Sequence, residues 1–287
     1  MPNSYDLIVV SSVGFDDAGW PLPAQITVCR EVAKLYAEQT KKPLILANAL
    51  GLPNHYRIND PVFGTPIVQS EQTKLLLENL GVDPQDIVRG QFAIDSIGEG
   101  LELLTLLCPN HEYLGWMYGM TGLRPIEGSD KLGAFQNTLG SQPLRVCFVG
   151  PDYQLPRSVI INKHMFELAG VTAEFVNFPI PIPDHLFMRT NLIGNLKEMS
   201  AHIQGRIEQY TKDWQPIKNI NDFFAAIKTN HGLFNKGGYQ FHQNPQIAIA
   251  HHEERYDLKE LYRLYKNREA NIEEGAHPKR PTPSYVN

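Results

Sequence analysis

Two kinds of segment alternate along this chain. Through the first 180 residues, short, continuously apolar, β-rich runs are separated by longer stretches whose apolar positions recur at helical spacing. The strand candidates are Leu7–Ser11, Leu44–Ala47, Ile87–Arg89, Leu144–Val149 and Ala173–Phe178. Most of them are apolar throughout rather than at every second position, as strands covered by helices on both faces must be. Strands that alternate with helices in this way build crossover units on a parallel sheet, so the expected fold is α/β: an open, mostly parallel sheet with helices on both faces.

The helices fall between these runs. Pro23 suits the first turn of a helix with Ile26, Val28, Val32, Leu35 and Tyr36 as its apolar positions. A second runs from Ser70 to Leu80 and stops at Gly81. A third, Ile97–Leu107, follows Ser96 as N-cap, with Glu99 three residues later completing a capping box. A fourth spans Pro156 to Leu168 and ends before Gly170. Beyond the proline-rich stretch 179–183, strand signals cease. Leu192, Leu196, Met199, Ile203, Ile207 and Tyr210 follow a helical period, and Asn221–Lys228 and Asp257–Tyr265 read as shorter helices. The expected organisation is a ligand-binding domain over 1–183 and a C-terminal α-helical extension over 184–270. A polar, proline-rich tail over 271–287 is expected to fray.

Two connections are long. Residues 51–69 follow the second strand directly and start at the carboxyl edge of the sheet, where they can act as a lid. Residues 108–142, rich in Gly, Met and aromatics, leave the end of a helix and so begin at the opposite edge. They read either as an excursion that wraps over to the ligand or as a packing or homo-oligomer contact.

Composition removes whole classes. A chain of 287 residues that is 42% hydrophobic and 20% charged is not disordered, collagenous or coiled-coil. Its 26 basic and 31 acidic side chains leave a net charge of −5, which repels a phosphate backbone, so nucleic acid is not an expected partner. Cys29, Cys108 and Cys147 are far apart and form no C-x-x-C, so neither zinc nor a redox pair is indicated. The N-terminal MPNSYDLIVVSS has no basic region and only a short apolar run, and no stretch of about 20 apolar residues occurs. A cytoplasmic protein without a membrane partner is expected.

Ligands of open α/β sheets bind outside the carboxyl ends of the strands. The polar residues that follow the strands are therefore the site candidates: Ser12, Gly14, Asn48, Gly51, Glu71, Asp95, Ser96, Glu99, Asp152, Tyr153 and Arg157. Neither G-x-G-x-x-G nor G-x-x-x-x-G-K-[ST] follows the first strand, and no G-x-S-x-G occurs. Ordinary dehydrogenases, P-loop enzymes and α/β-hydrolases are thereby excluded. Glu71 and Glu99 also have structural readings, as first-turn acids that favour the helix dipole. Asp95 and Asp152 can merely cap or terminate elements, and Asn48 is a turn former. Arg157 stands where the dipole disfavours a cation, which makes sense if an anion faces it. His251-His252-Glu253-Glu254 lacks the H-E-x-x-H spacing and reads as a solvated helix start, so no metal is expected.

Taken in order, these pieces resemble the ElyC/SanA/YdcF family. Ser70-Glu71-Gln72 stands in the place of its S-E-A turn, and LGVDPQDIV at Leu80–Val88 is similar to its lead into the third strand. Asp95-Ser96-Ile97-Gly98-Glu99-Gly100 stands where the family has S-x-N-T-x-E-N, and VGPDYQLPRSVIINKHMFELAG resembles its strand, turn and H-M-x-R-A helix. The resemblance covers residues 5 to 180 and implies a Rossmann-like domain. Glu71, Glu99 and Arg157 match residue by residue. The glycine-rich turn after the second strand does not, being Ala47-Asn48-Ala49-Leu50-Gly51 here, and Ser96, Ile97 and Gly100 replace the family's Asn, Thr and Asn.

The chain is most similar to the cytosolic YdcF-type branch, for which the resemblance implies S-adenosylmethionine as the ligand. Two carboxylates and a guanidinium suit a ligand with an amino group, a carboxylate and a ribose diol. On that reading Glu99 or Asp95 accepts from the ribose, Arg157 forks onto the carboxylate and Glu71 holds the amino group. Glu71 and Glu99 are the catalytic candidates. The expected activity is a transferase or lyase that transfers or eliminates a group at the sulfonium. The alternatives are a phosphate-handling enzyme of envelope precursor metabolism and a non-catalytic nucleotide-binding module.

Overall fold

The computed structural model describes residues 4–11, 13, 22–48, 69–90, 93, 96–113, 130–186 and 195–231, apart from the side chain of Glu71. A five-stranded sheet forms from β1 (Leu7–Val10), β2 (Leu44–Ala47), β3 (Ile87–Arg89), β4 (Leu144–Pro151) and β5 (Ala173–Ile180), in the order β3-β2-β1-β4-β5. Every neighbouring pair is parallel. The α/β, Rossmann-like architecture expected from the sequence is the one observed.

The apolar runs are continuous because each strand serves two cores. Leu7, Val9, Leu44 and Leu46 point into one layer, while Ile8, Val10, Ile45 and Ala47 point into the other. The second layer is closed by α1 (Pro23–Glu38) and α2 (Gln69–Asn79), through Ile26, Val32, Leu76 and Leu77 among others. The first is closed by α3 (Ser96–Leu107), α4 (Asp130–Thr138) and α5 (Leu155–Ala169), through Leu101, Leu104, Leu132, Phe135, Ile161 and Met165. β5 lies at the edge of the sheet, and its pattern is broken accordingly, with Glu174, Asn177 and Pro179 exposed.

The helix ends follow local chemistry. Gly81 (φ +92°) closes α2, with the Val82 N–H donating to the Leu77 carbonyl at 3.1 Å; Gly170 (φ +66°) closes α5, with the Val171 N–H donating to the Phe166 carbonyl at 3.1 Å. Helix α3 starts at Ser96 itself, so Ser96 belongs to the first turn rather than standing outside it. Asp95, which precedes it, lies outside the described residues.

Two further helices, α6 (Leu196–Asp213) and α7 (Ile220–Asn230), form the extension. Asn195 caps α6 by accepting from the Glu198 N–H at 3.0 Å. Tyr210, Phe223, Phe224 and Ile227 join the core on the α3–α5 side, so the extension packs on that layer. The helix expected over Asp257–Tyr265 lies outside the described residues. Among the described residues no helix is long and apolar enough to cross a membrane.

The 108–142 connection contains α4, which the sequence does not announce. Leu132 and Phe135 anchor it in the core, and Lys131 pairs with the buried carboxylate of Asp86 in the turn that leads into β3. This part of the connection therefore packs at the amino edge of the sheet, away from the strand ends that position a ligand.

Candidate functional site

The chain reverses its winding after β3. The connections from β1 to β2 and from β2 to β3 stay on one side of β1, whereas the next strand, β4, pairs with β1 on its other flank. The carboxyl ends of β1 and β4 thus mark the topological switch point, the usual ligand crevice of such sheets. There the two strands approach closely. A Cβ on Gly150 would lie 2.8 Å from Ser11 Cβ, so only glycine fits opposite Ser11. The Ser11 N–H extends the pairing by donating to the Val149 carbonyl at 2.9 Å. Behind the crevice Gln25, fully buried in α1, accepts from the Val13 N–H at 2.6 Å and donates to Cys29 Sγ at 3.3 Å, which holds the start of the β1–α1 connection. Ser12, Gly14 and Gly51 lie outside the described residues.

Helices α3 and α5 both start at this edge and pack side by side. A Cβ on Gly100 would lie 2.9 Å from Ile161 Cγ2 and 3.1 Å from Met165 Cγ. Arg157, Ile161 and Met165 follow one another at helical spacing of four, so they form one stripe, and that stripe faces α3. Arg157 is half-buried in the first turn of α5, and Glu99, beside Gly100, is buried in the first turn of α3. The structure therefore brings Glu99 and Arg157 to the same end of two packed helices. Glu71 is the third residue of α2 and starts from the same edge, but α2 belongs to the opposite layer. The acid and the cation share one face of the sheet, and the second acid sits on a helix of the other.

A buried polar group surrounds the end of β3. Ser70 Oγ donates to the Gly90 carbonyl at 2.5 Å, and the Gly90 N–H donates to the Ala47 carbonyl at 2.8 Å. The Glu102 carboxylate, with 0% exposure, accepts from the Ala93 N–H at 3.0 Å and thereby pins the β3–α3 connection. Asn48 follows β2 and is also buried. On the β4 side Asp152 is exposed; its N–H donates to the Ile180 carbonyl at 2.9 Å and its Oδ1 accepts from the Tyr153 N–H at 2.8 Å. Tyr153 packs on the α1 side of the core.

Sequence reasoning missed Gln25 and Glu102. The available signal was a polar residue standing inside an apolar helix face, as in Leu101-Glu102-Leu103-Leu104, but the backbone N–H that each one holds lies in a connection several residues away.

The thiols are poor nucleophiles. Burial pushes both Cys29 and Cys147 up to about 12. Among the described residues no cluster of three or more His, Cys, Asp or Glu is arranged to hold a metal ion. At the amino edge an open depression of about 580 Å³ is lined by Tyr36, Lys42, Gly81 and Pro84 among others. Its polar groups are engaged in structure: Lys42 donates to the Tyr36 and Ala37 carbonyls at the end of α1, and the Tyr36 hydroxyl donates to Asp86 at 2.6 Å. Burial first, and then Asp86, pushes that hydroxyl up to about 12.

No protein-family model matches the chain, and no curated protein or solved structure matches it. The likeness to the ElyC/SanA/YdcF family rests on the residues quoted for it above.

Proposed function

We propose that the carboxyl edge of the sheet binds S-adenosylmethionine or a related nucleoside, and that the protein is an enzyme acting on a small molecule at the sulfonium centre. The observation that carries this reading is the Gly100 contact with Ile161 and Met165. It sets an acid, Glu99, and a cation, Arg157, at the adjoining first turns of α3 and α5, beside the switch point of the sheet.

The two charges suit the two ends of the ligand. Arg157 offers a planar fork to an α-carboxylate, a geometry that orients as well as binds. Glu99 accepts from a ribose hydroxyl. On this reading Glu71, carried by a helix of the other layer, holds the amino group. Transfer or elimination at a sulfonium needs positioning and electrostatics more than a protein nucleophile, which agrees with thiols that burial keeps protonated. The resemblance to the YdcF-type branch supports the same ligand.

Titration calorimetry with S-adenosylmethionine, its demethylated product and ATP tests the reading. Heat of binding from at least one nucleoside is expected, and Arg157→Lys should weaken S-adenosylmethionine binding despite keeping the charge. No heat from any of the three ends the proposal.

A further inference from the structure

Asn48 is 2% exposed, and its side-chain Oδ1 is buried with no hydrogen-bond partner among the described residues. A buried amide oxygen without a donor is uncommon enough in a folded protein to call for an explanation. Its place in the sheet supplies one. Strand β2 sends Leu44 and Leu46 to the α3–α5 layer and Ile45 and Ala47 to the other, and the same alternation carries Asn48 to the α3 side. Because the Gly90 N–H donates to the Ala47 carbonyl, the β2–β3 pairing runs one rung past Ala47 and Arg89 and sets Gly90 opposite Asn48. Gly90 has no side chain, and a Cβ there would lie 3.2 Å from the Glu102 carboxyl carbon. Glu99 stands one turn nearer the edge on the same helix. An amide oxygen in want of a donor therefore sits beside the helix that carries Glu99 and Glu102, the latter already accepting from the Ala93 N–H, and such an oxygen is matched by a donor-bearing ligand.

Building on the nucleoside reading above, we infer that Asn48 is a specificity-determining residue whose Oδ1 accepts a hydrogen bond from a ribose hydroxyl, so the site favours ribonucleosides over their deoxy counterparts. In doubly wound folds the sugar of a bound nucleoside reaches the region after the second strand, where a carboxylate commonly takes its hydroxyls. Here the carboxylates come from α3. A third one in place of Asn48 would repel them, whereas an amide accepts the hydroxyl without adding charge.

The test pairs ligand variants with a protein variant. Adenosine, 2′-deoxyadenosine and 3′-deoxyadenosine are titrated into the full chain and into Asn48→Ala. The full chain should bind adenosine roughly threefold to tenfold more tightly than at least one deoxy form. Asn48→Ala should lose that preference by weakening adenosine, and any deoxy form that keeps the contacted hydroxyl, while leaving the form that lacks it unchanged. Equal affinity of the full chain for all three nucleosides, or an equal loss for all three in Asn48→Ala, overturns the inference while leaving the nucleoside reading in place. No binding of any of the three to the full chain removes the inference, and the nucleoside reading falls with it only when S-adenosylmethionine, its demethylated product and ATP give no heat either. If Asn48→Ala does not fold, Asn48→Leu, which keeps the side-chain size and likewise lacks the acceptor, takes its place in the same three titrations.

Discussion

His164 and Tyr210 share a buried hydrogen bond of 2.7 Å that joins α5 to α6. The other ring nitrogen, Nε2, lies 2.7 Å from the Ile217 carbonyl, which can only accept, so Nε2 carries the proton and Nδ1 accepts from the Tyr210 hydroxyl. Phe223 meets the same imidazole edge-on, with ring centroids 5.6 Å apart. A neutral histidine thus fastens both extension helices to the sheet domain.

Burial holds the His164 ring below its ordinary value of 6.5, partly offset by the Ile217 carbonyl and Glu167, while Lys218 lowers it further. The unfolded chain takes up this proton more readily than the folded one, so stability is complete above about pH 6.5 and declines as pH falls towards the folded-state value. Urea unfolding followed from pH 8 to pH 5 should show the native chain losing stability relative to His164→Gln. Parallel profiles for the two proteins would rule out this latch.

The close approach of Gly150 to Ser11 should make Gly150→Ala destabilising by about 1–3 kcal/mol, since Ser11 Cβ is fixed to its backbone and cannot rotate away. Adding Ser11→Gly should recover part of the loss. A double-mutant cycle by thermal unfolding is expected to give a coupling of about 0.5 kcal/mol or more; strict additivity would mean the strand ends relax freely.

Glu102 accepts from the Ala93 N–H in a fully buried site. Glu102→Leu should cost about 1–3 kcal/mol by orphaning that N–H, and Glu102→Gln, which keeps an acceptor, should cost less. The reverse order in urea unfolding would show that burying the carboxylate outweighs the bond it makes.

Glu99 sits in the first turn of α3, so its charge also favours the helix dipole. Loss of that contribution in Glu99→Gln should cost about 1 kcal/mol of stability or less, whereas its affinity for S-adenosylmethionine should fall roughly tenfold or more. Unchanged affinity with lowered stability would assign Glu99 to the helix dipole alone.

The sheet was legible because its strands are covered on both faces. Leu44–Ala47 is buried throughout and Ile87–Arg89 at Ile87 and Val88, both with turn or loop sequence around them, and the structure bounds them at the same residues. Helix α4 was hidden because its nine residues carry only two buried side chains, Leu132 and Phe135, too few to show a period. The candidate site was legible as a set of strand-following residues but not as a geometry. That Glu99 and Arg157 share a layer while Glu71 does not depends on the crossover after β3, which no local residue pattern encodes. The roles of Gln25 and Glu102 were hidden for a related reason, since both hold backbone groups of loops several residues away in sequence.

Val10 of β1 is level with Ala47 and Val149, yet β4 and β5 continue side by side through Gly150–Pro179 and Pro151–Ile180. Ser11, Asn48, Gly90 and Gly150 stand on one common rung, and Pro151–Ile180 lies a single step beyond it, which makes the β4–β5 corner the high point of the described strand ends.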